Sequence, residues 1–161
     1  MAPAVATIGV YGATVERFLA ALSGAQVRVV IDVRQRRGVR GPQYAWANSR
    51  RLQHALAEAG LGYRHLPELA PTTELRHLQY AADDAAGVGK RSRQELAPEY
   101  VERYVHEILD RADLDELLDA LPAEGLGALM CVERDPEACH RSLIAERLAT
   151  DYGFKVVSLY P

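Results

Sequence analysis

One short stretch of the chain, 131–141, carries thiol, carboxylate, imidazole and guanidinium groups in close succession. The apolar run 126–130 before it is typical of a strand that is buried on both faces of a parallel sheet. Asp135 as N-cap and Pro136 as first helical residue then predict the start of a helix. Because ligands of open parallel sheets bind beyond the strand ends, we expect this stretch to form a site.

Polar side chains also end a second predicted strand, the apolar run 27–33. Asp32 and Arg34 are two residues apart, so they share one face of that strand. Cys131 and Glu133 stand in the same relation on the later strand. If the two strands are neighbours, the four side chains meet at one edge of the sheet. For Asp32, the alternative is an ion pair with Arg34 that only orders the turn.

The arginines favour an anion as the ligand of this site. Arg34 and Arg141 would each hold a phosphate or carboxylate group through two hydrogen bonds, and helix N-termini would add N–H donors. Glu133 is then the candidate general acid or base, a role that His140 is able to share. The sequence therefore predicts an arginine-lined anion pocket, belonging either to an enzyme or to a binding module.

Cys131 also permits a thiol-dependent enzyme, either a sulfurtransferase or a redox protein. A helix N-terminus with Arg34, His140 and Arg141 nearby would lower the pKa of the thiol and favour the thiolate. This order of residues is similar to that of the rhodanese sulfurtransferases. Their loops are tight, however, whereas Cys131 and Arg141 lie ten residues apart with no glycine between them. The thiol enzyme is therefore the alternative hypothesis.

The same stretch holds possible metal ligands, namely Cys131, Glu133, Cys139 and His140. Their spacings match no recognised zinc pattern, and the adjacent Cys139 and His140 would point about a quarter-turn apart on a helix. Nearby arginines would also repel a cation. We therefore predict no metal site and no cofactor.

The loop after the second strand is the most basic part of the chain. Arg36, Arg37 and Arg40 precede Tyr44 and Trp46, a mixture that suits contact with phosphates and stacked bases. A solvated basic surface loop is the alternative. The loop predicts a phosphate-bearing small molecule, a nucleotide or a nucleic acid as the partner.

Two loops complete the candidate site. Gly9 and Gly12, with Tyr11 between them, precede a helix that Thr14 is expected to cap, so backbone N–H groups there could cradle a phosphate. A tight turn that needs glycine is the alternative. The segment 83–97 has a basic, glycine-containing tip, which predicts a mobile loop that acts as a lid over the anion.

Length and patterning predict one α/β domain over residues 1–161. A chain of 161 residues with 48% hydrophobic content suffices for one core. The predicted class is a three-layer, Rossmann-like domain with a mostly parallel sheet of about five strands. The predicted strands are Val5–Val10, Val27–Val33, Tyr63–Leu66, Leu126–Met130 and Phe154–Leu159.

Charge and cysteine content limit the partners and the cellular compartment that the sequence predicts. A net charge of -3 does not favour nucleic-acid binding by the protein as a whole, so any such binding requires a local basic patch. Two cysteines form no disulfide framework, and the N-terminus lacks a basic and apolar leader. We expect a cytoplasmic protein with no membrane association, and the sequence predicts no oligomeric state.

The motif Cys-x-Glu-x-Asp-Pro-x-x-Cys-His-Arg at 131–141, together with Thr7-Ile8-Gly9 and Asp32-Val33-Arg34, resembles the domain-of-unknown-function 488 family. The resemblance spans nearly the whole chain and includes a strand and turn at 63–69. It implies an α/β fold with a pocket beside that strand, and it implies no established reaction. Many relatives carry His-Ser where this chain has Val10-Tyr11, so no role of that histidine is transferred.

Overall fold

A five-stranded parallel sheet forms the centre of the part of the chain that the structure describes, residues 3–161. The structure is a computed structural model. The predicted α/β class, with a parallel sheet of about five strands, is confirmed. The strands lie in the order β3-β2-β4-β1-β5, with β1 at Ala4–Ile8, β2 at Val27–Asp32, β3 at Gly62–His65, β4 at Leu126–Met130 and β5 at Lys155–Leu159.

Within the same residues, α-helices connect the strands and cover the sheet. Right-handed connections between parallel strands put α1 and α2 on one face and α3 to α6 on the other, which gives three layers. None of these helices is long and apolar enough to span a membrane. The helices are α1 at Val15–Gly24, α2 at Ser49–Glu58, α3 at Thr73–Ala86, α4 at Pro98–Tyr104, α5 at Asp115–Ala120 and α6 at Arg141–Tyr152.

The two strands that lead into the candidate site are neighbours, as the site hypothesis required. Asp32 of β2 lies opposite Met130 of β4, while β1 pairs with the other edge of β4. The apolar residues of the three strands are almost completely buried, because helices cover both faces of the sheet. The carboxyl ends of β1, β2 and β4 therefore meet at one edge.

The helix after β4 begins later than the sequence predicted. Pro136–Ala138 forms a short 3-10 turn, and α6 starts only at Arg141. Cys139 between them is extended, with φ -141° and ψ 145°, so the helical hydrogen-bond ladder cannot pass through it. The prediction that Asp135 caps this helix was therefore wrong, because Asp135 precedes the short turn instead.

The segment 83–97 is partly helical. Its first residues belong to α3, which is followed by Gly87 as C-cap in the left-handed conformation with φ 72°. Further along, Arg93 is a buried residue of the protein interior. This segment thus folds against the body of the domain.

Arg141 holds the turn between β4 and α6 together. Its side chain is 0% exposed. One guanidinium nitrogen donates to the carbonyl oxygen of Glu133 at 2.6 Å, and another donates to that of Arg134 at 3.1 Å. Because these hydrogen bonds satisfy buried carbonyl groups of an irregular segment, Arg141 stabilises the conformation of that segment.

We expect Arg141→Leu to lower the free energy of unfolding by about 3 kcal/mol or more, because two hydrogen bonds from a charged donor, each contributing about 1.5–3 kcal/mol, are lost. Urea denaturation measures this change. The control is Arg17→Leu, which removes an exposed arginine of α1. Equal stability of the two variants would contradict the structural role of Arg141.

Candidate functional site

A cavity of about 770 Å³ opens at the carboxyl ends of β1, β2 and β4. Residues that follow each of these strands line it, and α3 and the segment 89–96 close it from the other side. This is the position at which open parallel sheets bind ligands. Its volume falls within the range of about 300–1,000 Å³ that is usual for small-molecule sites.

Positive charge dominates the lining of this cavity. Among the lining residues of the described chain, Glu133 is the one carboxylate. The basic residues in the same lining outnumber it by far, although the whole chain carries a net charge of -3. They are Arg34, Arg36, Arg40, Arg76, Lys90, Arg91 and Arg93.

Asp32 neutralises Arg34 at the base of the cavity. The guanidinium group donates to the two carboxylate oxygens at 2.9 and 2.8 Å and to the carbonyl oxygen of Ala47 at 3.0 Å. Burial alone would lower the pKa of Arg34, yet the ion pair with Asp32 raises it. The structure thus contains the Asp32–Arg34 ion pair that was the alternative for Asp32.

Arg93 links the segment 89–96 to both α3 and the end of β4. It donates to the carboxylate of Asp83 from two nitrogens at 2.9–3.0 Å, and to Oε1 of Glu133 at 3.3 Å. A further bond of 2.9 Å reaches the carbonyl oxygen of Ala138. Because Arg93 and both carboxylates are buried, this network fixes the cavity wall.

Glu133 presents one free carboxylate oxygen. The residue is only 7% exposed, and Oε2 has no hydrogen-bond partner among residues 3–161. Burial favours the neutral acid, but the charges of Lys90 and Arg93 outweigh this effect and hold the pKa of Glu133 below its ordinary value. Glu133 is therefore ionised at neutral pH and suits the role of a proton acceptor better than that of an acid.

Lys90 and Arg91 form the basic tip over the cavity. Burial alone would lower the pKa of Lys90, whereas the nearby Glu133 raises it, so the amine stays charged. Arg91 lies against two tyrosine rings, with its guanidinium carbon 5.1 Å from the centroids of both Tyr11 and Tyr44. It also donates to the carbonyl oxygen of Arg40 at 2.9 Å, which ties the two basic loops together.

His140 and the two cysteines form a buried cluster in the cavity wall. His140 places Nε2 2.8 Å from the carbonyl oxygen of Val33 and Nδ1 3.7 Å from Sγ of Cys139. A hydrogen bond with Cys139 and burial raise the pKa of the Cys131 thiol well above its ordinary value. The hydrogen bond and burial thus favour the neutral thiol of Cys131 over the thiolate that a thiol-dependent enzyme would use as its nucleophile.

The other predicted residues divide into two groups. Tyr11, Arg36 and Arg40 line the cavity together with Arg34, Cys131, Glu133 and His140. Three predicted ligand residues lie outside the lining. The N–H of Gly12 donates to the hydroxyl of Tyr44 at 2.8 Å, Arg37 contacts the hydroxyl of Tyr63 at 3.5 Å, and Arg141 is enclosed by backbone carbonyls.

Comparison with known proteins identifies the family. Residues 14–148 match the family model described as "Domain of unknown function DUF488". The chain belongs to this family. The matched range contains the stretch 131–141 and Asp32-Val33-Arg34, whereas Thr7-Ile8-Gly9 precedes it. None of the curated proteins and none of the solved structures matches the chain.

The sequence does not predict site residues in the cavity wall formed by α3 and the segment 89–96. It assigns Lys90, Arg91 and Arg93 only to the basic tip of a predicted lid, and it assigns Asp83 to a mobile loop. The sequence does show the apolar pattern of a helix with one buried face, followed by closely spaced basic residues. This pattern does not predict which arginine points into the interior, because Arg91 and Arg93 differ only in their tertiary contacts.

We expect Glu133→Gln to reduce the thermal stability of the DUF488 protein most at neutral pH. The folded pKa of Glu133 lies below the unfolded value of about 4.3, so the stabilisation is present above that value and is lost as the pH falls through the folded pKa. Thermal denaturation from pH 7 to pH 3 should show the gap to wild type closing. Glu124→Gln, an exposed carboxylate outside the cavity, controls for the lost charge. A gap that stays constant with pH would contradict the assignment.

Proposed function

We propose that this cavity binds a phosphate-bearing ligand, with a nucleotide as the leading class, and that Glu133 accepts a proton from it. The observation that supports the proposal is the charge of the lining, where basic side chains surround a single carboxylate. Such a lining concentrates anions in a chain whose net charge is negative, so it acts as a local patch.

Five of the lining cations remain available to a ligand. Arg34 and Arg93 are neutralised by Asp32 and Asp83. The others make no ion pair of 4.0 Å or less with a carboxylate of residues 3–161, and Lys90 is half-buried at the cavity wall. An unpaired, partly desolvated cation gains most from an anionic ligand. The available cations are Arg36, Arg40, Arg76, Lys90 and Arg91.

Flat side chains next to these cations support a nucleotide over a simple anion. Tyr11 and Tyr80 line the cavity, and each lies near an arginine, with 5.1 Å from Arg91 to the Tyr11 ring and 5.8 Å from Arg76 to the Tyr80 ring. Tyrosine rings and guanidinium planes both stack on bases. The cavity thus combines phosphate contacts with surfaces for a base.

The free oxygen of Glu133 supports chemistry on the bound ligand. An ionised carboxylate with one uncommitted oxygen in a buried wall is able to accept a proton from a hydroxyl group or a water molecule. Arg93 fixes the other oxygen, so the acceptor is held in one orientation.

We expect Lys90→Gln and Arg91→Gln each to weaken AMP binding by about tenfold, the effect of one lost charge-assisted hydrogen bond of about 1.5 kcal/mol. Isothermal titration calorimetry of AMP, adenosine and inorganic phosphate measures the contributions of base and phosphate. Lys155→Gln on β5, exposed and outside the cavity, is the matched control. Equal affinity for AMP and adenosine, or equal affinity of all the variants for AMP, would refute the anion site.

We expect Glu133→Gln to retain AMP affinity within about threefold but to abolish turnover, because the amide keeps the shape of the side chain and cannot accept the proton. Chromatography of a nucleotide mixture incubated with each protein detects turnover. Conversion by the variant at the wild-type rate would remove Glu133 from the mechanism. Tight binding without conversion by either protein would leave a binding module and refute the proton transfer.

A further inference from the structure

We propose that Cys131, Cys139 and His140 form a three-ligand site for a thiophilic divalent metal ion such as Zn²⁺. Their ligand atoms all lie within 4.8 Å of one another, and all three residues are buried. Two sulfurs and one imidazole nitrogen are a donor set that Zn²⁺ prefers. The prediction of no metal site rested on unrecognised spacings, on repulsion by arginines and on a helical conformation of Cys139 and His140, and α6 begins only after these two residues.

The backbone explains how adjacent residues are able to share one ion. On a helix, Cys139 and His140 would diverge, but Cys139 is extended and the helix starts only at Arg141. Sγ of Cys139 and Nδ1 of His140 consequently lie 3.7 Å apart. Bond lengths of about 2.3 Å to sulfur and 2.0 Å to nitrogen require about 3.6 Å between two such ligands in a tetrahedral site.

The surroundings of the cluster orient its ligands. The carbonyl oxygen of Val33 lies 2.8 Å from Nε2 of His140 and accepts a hydrogen bond from it, while Nδ1 faces Sγ of Cys139 at 3.7 Å. The backbone N–H of Arg141 contacts Sγ of Cys139 at 3.5 Å and would stabilise a thiolate. Histidines that bind metals are usually oriented by a second hydrogen bond of this kind.

The charges around the cluster are compatible with a cation. Two thiolates balance the charge of a divalent ion once their protons pass to solvent. Arg34, which borders the same cavity, is already paired with Asp32 at 2.8 Å. Repulsion by arginine, which argued against a metal at the sequence level, is therefore weakened.

Three protein ligands leave the fourth position of a tetrahedral ion open to the cavity, since all three residues line it. Glu133, whose Oε2 is buried and has no hydrogen-bond partner among residues 3–161, belongs to the same lining. This combination is typical of metal sites that bind a water molecule or a substrate oxygen, and it differs from closed structural sites. The metal site does not rest on the proposed nucleotide, because its three ligands are different residues from those that the AMP experiment alters.

Titration of the reduced protein with Co²⁺ and then Zn²⁺ tests the proposal. We expect one equivalent of Co²⁺ to produce thiolate charge-transfer absorption and the visible bands of tetrahedral cobalt, and Zn²⁺ to displace it. Cys131→Ser, Cys139→Ser and His140→Asn should each weaken binding at least tenfold. His77→Asn, which removes an exposed histidine of the same cavity, should leave it unchanged.

X-ray absorption of the zinc-loaded wild-type protein gives a second test that needs no variant. We expect two sulfur neighbours at about 2.3 Å and one nitrogen at about 2.0 Å, with one further light atom. Absence of charge-transfer absorption in the reduced protein, coordination by oxygen and nitrogen alone, or unchanged binding by a correctly folded Cys139→Ser variant would overturn the site. None of these results would by itself contradict the anion site, which the AMP titration tests with other variants.

Discussion

The buried ion network of Arg93, Asp83 and Glu133 is the interaction on which the candidate site depends. A guanidinium group from the segment 89–96 joins a carboxylate of α3 to the carboxylate that follows β4. Removing one member would leave a buried charge without its partner, which is costly in a medium of low dielectric constant. The network therefore holds the segment 89–96 against α3 and the end of β4, which keeps this cavity wall in one arrangement. It also holds one oxygen of Glu133 and leaves the other free.

The arginines of this DUF488 domain fall into two sets, which differ in burial and in their hydrogen-bond partners. Arg34 and Arg93 bind carboxylates inside the domain, and Arg141 binds backbone carbonyls. The guanidinium group suits these tasks because it has several donors in a fixed plane and stays charged when buried. The cations at the rim lack carboxylate partners within residues 3–161, as Arg36 and Lys90 illustrate. The positive charge of the cavity thus comes from the cations at the rim, whereas the paired arginines are buried in the interior.

In the structure, the side chains of the stretch after β4 are arranged differently from what the sequence predicts. The delay of the helix to Arg141 brings Cys139 and His140 together with Cys131, and it turns the guanidinium group of Arg141 away from the cavity. The stretch from which Arg141 was expected to contribute to an anion clamp instead contributes two sulfurs and one imidazole, next to the carboxylate of Glu133. The cations without a carboxylate partner lie elsewhere in the lining, and one of them, Arg91, packs against Tyr11 and Tyr44. One cavity consequently has both the cysteine and histidine cluster and the basic tip in its lining.

The amino-acid sequence by itself determined the class of the fold, the strands and the edge of the sheet that carries the site, because apolar runs such as 126–130 reflect burial on both faces. It also indicated Glu133 and the family. Tertiary structure alone decided which cations are paired in the interior and which lie at the cavity rim, since Arg91 and Arg93 have the same local sequence signal and opposite environments. It likewise decided the conformation of Cys139, because an extended residue between a 3-10 turn and a helix is stabilised by distant groups, including the carbonyl of Val33 that holds His140.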